Sequence, residues 1–408
     1  MLRHASWTLI DQGVVSLGAF LLNITLARHI APVEYGVFAL VFGILLLVQL
    51  AISSVIFYPM SIRITQLPED GRAALAGRGL ALLPVLLLPL LLALALGLIL
   101  LGRSDLAGPV SLYLAAWQGQ EALRRILFAE FRHRDALAGD SIAYLGAPLA
   151  VLLLLQQGML ALPGVFFCMA AASGLALLVS CRQVRADVPL LRTLRPTLLE
   201  FWSLGGWSLA NNLVGALRIQ LFLWGLTAMF GAAATAAFQA ALNVVNLANP
   251  ILLGLCNVIP QAAARKSAEG YRAAWKAARD YALIGTLPLL PCYAVLLSAP
   301  DLVLLLLYGA DSLYLTLSLP IRILAVSWLL GYSADMICSF MHGVDSARLA
   351  LLVSAAGTLA AAALFLPLTH RFGLVGSCIA LGGSNLVRLL TAHWFLTRMI
   401  AHGRPSVA

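Results

Sequence analysis

The chain has 408 residues, of which 62% are hydrophobic and only 11% are charged. A soluble domain is about half apolar and about a quarter charged, so this composition excludes a soluble globular enzyme. It also excludes a disordered chain, which needs low hydrophobicity and high charge. The formal net charge of +9 is best explained by arginine in cytoplasmic loops of a membrane protein, and no nucleic-acid partner is expected.

The apolar runs predict an all-α polytopic membrane protein with about twelve transmembrane helices. One span takes about 20 apolar residues, so twelve would use roughly 240 and leave only short loops. Span 4 is the most polar of the set and span 5 is short. In chain order, the predicted spans are 6–28, 36–58, 79–101, 108–129, 140–156, 159–180, 201–228, 232–258, 281–299, 316–340, 347–367 and 374–397.

The positive residues orient these spans. If the N-terminus is cytoplasmic, the inner segments hold 18 Lys and Arg and the outer segments hold 3. This asymmetry predicts that both termini are cytoplasmic. The apolar stretch Trp7–Ile30 is too long for the core of a signal peptide and is interpreted as the first retained span. The six cysteines are predicted to be inert thiols, with no disulfide framework and no metal site.

The two halves of the chain resemble each other. A shift of 200 residues aligns Trp7 with Trp207 and Phe38 with Phe238. Spans 1–6 and 7–12 would then form a parallel repeat, an arrangement that places the substrate site of transporters between the halves. The predicted domains are an N-terminal six-helix lobe at 1–180, a cytoplasmic linker at 181–200 and a C-terminal six-helix lobe at 201–408.

Charged residues occur inside the predicted spans. A charge at the bilayer centre costs about 2.5–3.5 kcal/mol on insertion scales, so such residues normally face a cavity or a partner. They are Arg124, Arg125, Arg218, Arg322, Arg388, Asp11, Glu121 and Asp335.

Arg218 lies midway along span 7. Trp207, Asn211, Gly215 and Arg218 follow a helical spacing and share one face. One interpretation is that this face lines a cavity, where Asn211 contacts cargo and Arg218 binds a phosphate. In the alternative, Arg218 neutralises Asp11.

Span 8 carries amides at a helical spacing. Gln239, Asn243, Asn246 and Asn249 form a polar stripe. Amides both donate and accept hydrogen bonds, which suits sugar hydroxyls. The alternative is that they join neighbouring helices, as amides do in membrane bundles.

The remaining basic residues are weaker candidates for cargo contact. Arg388 shares a helical face with Ser384, and Arg322 lies nearer the outer end of span 10, where it could reach the interface. Glu121 and Arg125 form an i, i+4 pair. Arg124 has no such i, i+4 partner and could guide a diphosphate in from the inner leaflet.

Four segments resemble a known family. Residues 26–40 read LARHIAPVEYGVFAL, residues 307–314 read LYGADSLY, residues 372–380 read FGLVGSCIA, and Pro260 follows span 8. These patterns are similar to the polysaccharide-transporter (lipid-linked oligosaccharide flippase, Wzx-like) branch of the multidrug/oligosaccharidyl-lipid/polysaccharide (MOP) exporter superfamily. That superfamily also contains multidrug exporters and the peptidoglycan-precursor flippase.

The resemblance implies two six-helix lobes around a central cavity that opens alternately to each side of a bacterial cytoplasmic (inner) membrane. It implies an oligosaccharide on undecaprenyl diphosphate as cargo, with membrane lipids and other polysaccharide-assembly proteins as partners. One departure concerns the middle of span 7, where many relatives carry an Asp. Here residues 217–221 read LRIQL, so a coupling role cannot be carried over from that Asp.

The energy source has two candidates. No Walker motif occurs, no cofactor is expected, and ATP is not the predicted direct source. A diphosphate with about two negative charges gains roughly 4–5 kcal/mol per 100 mV when it leaves a negative interior. Antiport of a proton or sodium ion through Asp11 is the other hypothesis.

Three other functions compete with the flippase interpretation. A drug or small-cation exporter of the same superfamily needs acidic residues in its cavity, and the basic excess argues against it. A membrane polymerase or ligase usually needs a sizeable outer loop, and the outer loops here are short. The sequence also leaves open a passive subunit of an export complex.

Overall fold

The computed structural model describes residues 2–187 and 190–402, and every regular element in those ranges is a helix. We number the α-helices in chain order. They are α1 (Leu2–His29), α2 (Pro32–Ile52), α3 (Tyr58–Gln66), α4 (Glu69–Leu100), α5 (Ser104–Ala129), α6 (His133–Gln156), α7 (Leu162–Gln183), α8 (Leu194–Phe230), α9 (Ala232–Val245), α10 (Asn249–Lys266), α11 (Tyr271–Ser298), α12 (Pro300–Tyr308), α13 (Ser318–Gly343) and α14 (Ala347–His402).

The all-α membrane fold predicted from the sequence is confirmed. Ten stretches of the described residues are long and apolar enough to cross a membrane. One of them, Ala347–Ala401, contains two helices that meet at Gly373. Gly373 has φ +56°, a left-handed conformation that glycine adopts without the steric cost of a Cβ atom. This joint separates predicted spans 11 and 12.

Two predicted spans differ from the helices in an informative way. Span 8 is interrupted, because a 3₁₀ turn at Asn246–Ala248 separates α9 from α10. Span 4 corresponds to α5, which is helical but is not among the ten apolar stretches. Buried polar side chains lower its hydropathy, and they include Gln118, Gln120, Glu121 and Arg124.

The described residues form two compact units. The first comprises Met1–Ala31 and Val41–Leu213, and the second comprises Pro32–Leu40 and Val214–Ala408. In the first unit, α1 packs on α6, and both α5 and α6 pack on α7. In the second, α13 packs on α10, α11 and α14. The lobes at 1–180 and 201–408 with a linker at 181–200 stay a prediction, since a compact unit need not coincide with a repeat.

Two of the family-like segments meet in the second unit. Tyr35 is fully buried, and its hydroxyl accepts a hydrogen bond from Asn243 Nδ2 at 2.6 Å. The Tyr35 ring lies edge-on to Tyr314, which in turn contacts Tyr308 with ring centroids 5.2 Å apart. The Tyr308 hydroxyl donates to the Ala240 carbonyl oxygen. These tyrosines therefore pack the second unit together, with the hydroxyls of Tyr35 and Tyr308 bonded within it.

Gly36 allows this packing. A Cβ atom at Gly36 would lie 1.8 Å from the carbonyl oxygen of Ala232, far inside van der Waals contact. We expect Gly36→Ala to lower the free energy of unfolding by about 1–3 kcal/mol, the usual cost of overpacking. Thermal unfolding of the purified protein in detergent measures this change.

Gly97→Ala is the matched control. Gly97 lies inside α4, and a Cβ atom there would have nothing within 4 Å. Alanine in an open helix position should stabilise the protein by about 0.5–1 kcal/mol relative to glycine. Equal effects of the two substitutions would contradict a close α2–α9 approach at Gly36.

Candidate functional site

A polar cavity of about 150 Å³ lies within the second unit. α8, α10, α13 and the part of α14 after Gly373 line it, together with the turn that separates α9 from α10. The lining residues are Arg218, Ile219, Asn246, Asn249, Leu252, Trp328, Gly331, Tyr332, Asp335, Leu381, Asn385 and Arg388.

Two arginines converge on one amide in this cavity. Arg218 Nη1 donates to Asn385 Oδ1 at 2.7 Å, and Arg388 Nη1 donates to the same oxygen at 3.3 Å. The Asn385 amide nitrogen donates to Ser327, both to its carbonyl oxygen and to its hydroxyl, at 3.0 Å. Ser327 thereby fixes the orientation of Asn385, so that its oxygen faces the two guanidinium groups.

The charges in the cavity do not balance. Asp335 accepts a hydrogen bond from Arg388 Nη2 and forms an ion pair with it. Arg218 also donates to Ser384 Oγ at 3.3 Å, and none of the described carboxylates forms an ion pair with it. Two guanidinium groups and one carboxylate leave one net positive charge. Like charges held this close repel each other, so an anion entering the cavity would be attracted.

The same cavity also offers neutral polar groups. Trp328 Nε1 donates to Asn246 Oδ1 at 3.1 Å, and Asn249 lines the same cavity. An indole ring beside amides can stack on a sugar ring while the amides bond to its hydroxyls.

The predicted amide stripe divides between two roles. Gln239 donates to Asn243 Oδ1 at 3.0 Å, and Asn243 donates to Tyr35. The Asn243–Tyr35 hydrogen bond joins α9 to α2, and Gln239 holds Asn243 within α9. The 3₁₀ turn that follows redirects the chain, so that Asn246 and Asn249 line the cavity instead.

The other predicted cargo residues are dispersed. Arg218 and Arg388 both line the cavity. Arg322 is exposed on α13 and is not among the cavity's lining residues. The side chain of Asn211 lies outside the described part of the structure. Asn385 was missed by the sequence reasoning, although its position three residues before Arg388 places both on one helical face.

Arg124 is the centre of a charge cluster in the first unit. Its guanidinium lies 2.7 Å from an Asp11 oxygen, 2.5 Å from an Asp140 oxygen and 3.4 Å from a Glu121 oxygen. Asp11 and Asp140 are fully buried and Arg124 is 9% exposed. Arg124 therefore has three carboxylate partners, where the sequence pattern showed no i, i+4 partner. A phosphate would have to displace these carboxylates to bind Arg124.

Neighbouring side chains complete this cluster. Gln120 Nε2 donates to Asp140 Oδ1 at 2.7 Å, and the Glu121–Arg125 pair predicted from the spacing forms at 2.6 Å. Sequence reasoning missed Asp140. This residue is at the very edge of predicted span 5, where a charged side chain is expected and therefore attracts no notice. Asp11 and Asp140 could take up a proton or a cation, because both carboxylates share one guanidinium. Asp11 thus stays a candidate for coupling.

Comparison with solved structures identifies the fold. By sequence, no protein-family profile matches the chain and no curated protein matches it. By structure, it is similar to an inward-facing multidrug resistance MATE family transporter of the MOP superfamily, with a TM-score of 0.73 and 16% identity over 98% of this chain and 95% of that chain. It is similar to lipid II flippase MurJ in an inward closed conformation, with a TM-score of 0.73 and 10% identity over 97% and 88%.

A third similar structure is a MOP superfamily transporter from Pyrococcus furiosus, with a TM-score of 0.66 and 15% identity over 98% of this chain and 95% of that chain. At these identities the likeness establishes the fold. The chain has the polytopic helical fold shared by these membrane transporters and flippases of the MOP superfamily. The comparisons do not distinguish the polysaccharide-transporter branch.

The Arg124 cluster generates a prediction about stability. We expect Arg124→Gln to lower the free energy of unfolding by about 3–5 kcal/mol, because it leaves buried carboxylates without their counter-ion. Thermal or denaturant unfolding in detergent measures the loss.

Arg125→Gln is the matched control on the same helix. Arg125 has a 40% exposed side chain and pairs with Glu121, so its loss should cost at most about 1 kcal/mol. If the two variants were equally stable, Arg124 would not be the centre of a compensated cluster.

Proposed function

We propose that this protein is a flippase that moves undecaprenyl-diphosphate-linked oligosaccharide repeat units from the cytoplasmic to the outer leaflet of a bacterial inner membrane, by alternating access. The product would feed the synthesis of a surface polysaccharide such as O-antigen, capsule or exopolysaccharide. The observation that carries this proposal is the convergence of Arg218 and Arg388 on Asn385 in a polar cavity within membrane-spanning helices.

A diphosphate matches the charge of this cavity. Guanidinium presents a planar fork of donors that pairs bidentately with phosphate oxygens. Inside the membrane the low dielectric strengthens such pairs relative to water. The net positive charge shared by Arg218, Arg388 and Asp335 therefore favours a phosphate-bearing cargo over a cation.

The neutral polar groups of the cavity suit the glycan. Asn246 and Asn249 can bond to hydroxyl groups, and Trp328 can stack on a sugar ring. The polyprenyl tail has no polar groups and can remain in the lipid during transfer. The protein would thus need to supply a polar path only for the diphosphate and the glycan of the cargo.

The similar structures support transport of this general kind. One of them is a flippase for a lipid-linked substrate, lipid II. Another is described as a MOP superfamily transporter whose binding pocket has reversed polarity, which suggests a different function for it. That description indicates that binding pockets of different polarity occur on this fold, and a basic cavity in this chain is consistent with such a difference.

A drug or small-molecule exporter is the second candidate. It is favoured by the likeness to the MATE family transporter, whose TM-score of 0.73 equals that of the lipid II flippase. The excess of basic over acidic groups in the cavity argues against cationic drugs.

The first test deletes the gene in its native host and extracts the lipid-linked oligosaccharides. We expect a complete diphosphate-linked repeat unit to accumulate on the cytoplasmic side while surface polysaccharide disappears. Complementation with Arg218→Ala should restore export at least about tenfold less well than wild type, since a hydrogen bond to a charged group contributes about 1.5–3 kcal/mol.

Arg371→Ala is the control for this complementation, because Arg371 contacts Phe372 rather than the cavity. It should complement fully at equal expression. A repeat unit that reaches the outer face but stays unpolymerised would favour a polymerase or ligase. Unchanged lipid intermediates and unchanged surface glycan would overturn the flippase proposal and favour export of a drug or metabolite.

The coupling hypothesis needs its own measurement. If Asp11 carries a proton or sodium ion, Asp11→Asn should transport cargo at a rate that no longer responds to imposed gradients of either ion. Reconstituted vesicles with defined gradients measure this dependence. Transport by Asp11→Asn with the same gradient dependence as wild type would exclude Asp11 as the coupling residue, and wild-type transport that ignores both gradients would favour the membrane potential as the energy source.

A further inference from the structure

The ion pair between Asp335 and Arg388 has one accessible member. The Arg388 side chain is 8% exposed, whereas the Asp335 side chain is 30% exposed, and Asp335 lines the cavity. The carboxylate therefore occupies a donor of a buried guanidinium with which an entering anion would otherwise pair. Asp335 lies on α13 and Arg388 on α14, so separating them breaks a contact between two helices.

Arg388 retains an unused donor. Its Nη1 bonds to Asn385 and its Nη2 to Asp335, but its buried Nε has no partner among the described residues. A buried donor without a partner is destabilising. A ligand with several oxygens can satisfy this donor together with the one that Asp335 now holds.

The same carboxylate also repels anions in the cavity. A monocarboxylate could pair with Arg218, but at Arg388 it would meet a carboxylate of equal chemistry and gain little by exchange. A diphosphate carries about two charges and more acceptor oxygens, so it can bridge both guanidinium groups and offset the repulsion. Competition between Asp335 and a ligand for Arg388 thus discriminates against carboxylate ligands, because they gain little by displacing Asp335.

From this arrangement we propose that Asp335 is a specificity-determining residue. It acts as an internal counter-ion that occupies Arg388 when the cavity is empty and yields it to diphosphates but not to carboxylate anions. The proposal rests on the proposed function, since it names the group of the cargo that the cavity selects. It assigns Asp335 a role in rejecting sugar acids and other carboxylates.

Calorimetric titration of the full-length protein in detergent tests this role, with pyrophosphate and glucuronate as probes. Wild type should bind pyrophosphate and discriminate strongly against glucuronate. In Asp335→Asn the affinity for glucuronate should rise by about 5- to 150-fold, the usual range of coupling between two binding events. The preference for pyrophosphate should fall accordingly, and Asp335→Glu, which keeps the charge, should retain it.

A second variant guards against misfolding of Asp335→Asn, which leaves Arg388 buried without its counter-ion. The double variant Asp335→Asn with Arg388→Gln removes both charges, so Arg218 alone remains to bind either probe. It should bind pyrophosphate more weakly than wild type, and its preference for pyrophosphate over glucuronate should be smaller than in wild type. A preference as large as that of wild type in a folded Asp335→Asn or in the double variant would overturn the role of Asp335.

The two proposals fail in different ways. If wild type binds pyrophosphate and Arg218→Ala does not, while Asp335→Asn keeps wild-type selectivity, the anion site stands and the role of Asp335 falls. If neither wild type nor Asp335→Asn binds pyrophosphate, the diphosphate site itself falls, and the role of Asp335 falls with it.

Discussion

The compensation of buried arginine organises both units of this structure. A guanidinium inside a bilayer is stable only when acceptors surround it. In the first unit, Arg124 is surrounded by the carboxylates of Asp11, Asp140 and Glu121. In the second unit, Arg388 pairs with the Asp335 carboxylate, and Arg218 and Arg388 share only the amide oxygen of Asn385. Arg124 therefore has an excess of carboxylate partners, whereas Arg218 pairs with none of the described carboxylates.

This difference assigns different chemistry to the two clusters. The acids of the first cluster outnumber its central arginine, so it suits a proton or a cation. The bases of the second outnumber its acid, so it suits an anion. The division also explains why the helices that carry charge are tightly packed. Each buried charge needs partners from another helix, so α1, α5 and α6 are joined in the first unit and α8, α13 and α14 in the second.

Hydropathy was sufficient to predict the fold class, because a span needs only a long apolar run. The sequence also singled out Arg218, Arg388, Asn246 and Asn249, since charge and amides are costly within such runs. It could not show that the amides of span 8 diverge, because their spacing fits one continuous helix, although Pro250 at the start of α10 lies just after the 3₁₀ turn at Asn246–Ala248.

Pairings between distant segments were equally hidden. Asp140 and Arg124 are 16 residues apart and Asp11 and Arg124 are 113 apart, and no local spacing connects them. Asn385 was missed for a related reason, since it is a single amide outside the stripe of span 8 and its bond to Arg218 joins residues 167 apart. Which distant residues come together depends on how the faces of the helices are oriented toward one another. Periodicity alone does not determine that orientation.

The position of residues Pro32–Leu40 has a consequence for synthesis. They are grouped with the second unit, although the chain around them belongs to the first. Tyr35 leaves the ribosome roughly 270 residues before Tyr308, which at about 5–20 residues per second is a delay on the order of tens of seconds. During that interval Tyr35 lacks the hydrogen bond from Asn243 and the ring contact with Tyr314. The two halves are therefore not independent folding products, and a chain cut in the 181–200 region would leave the second half without Tyr35, which the first half supplies.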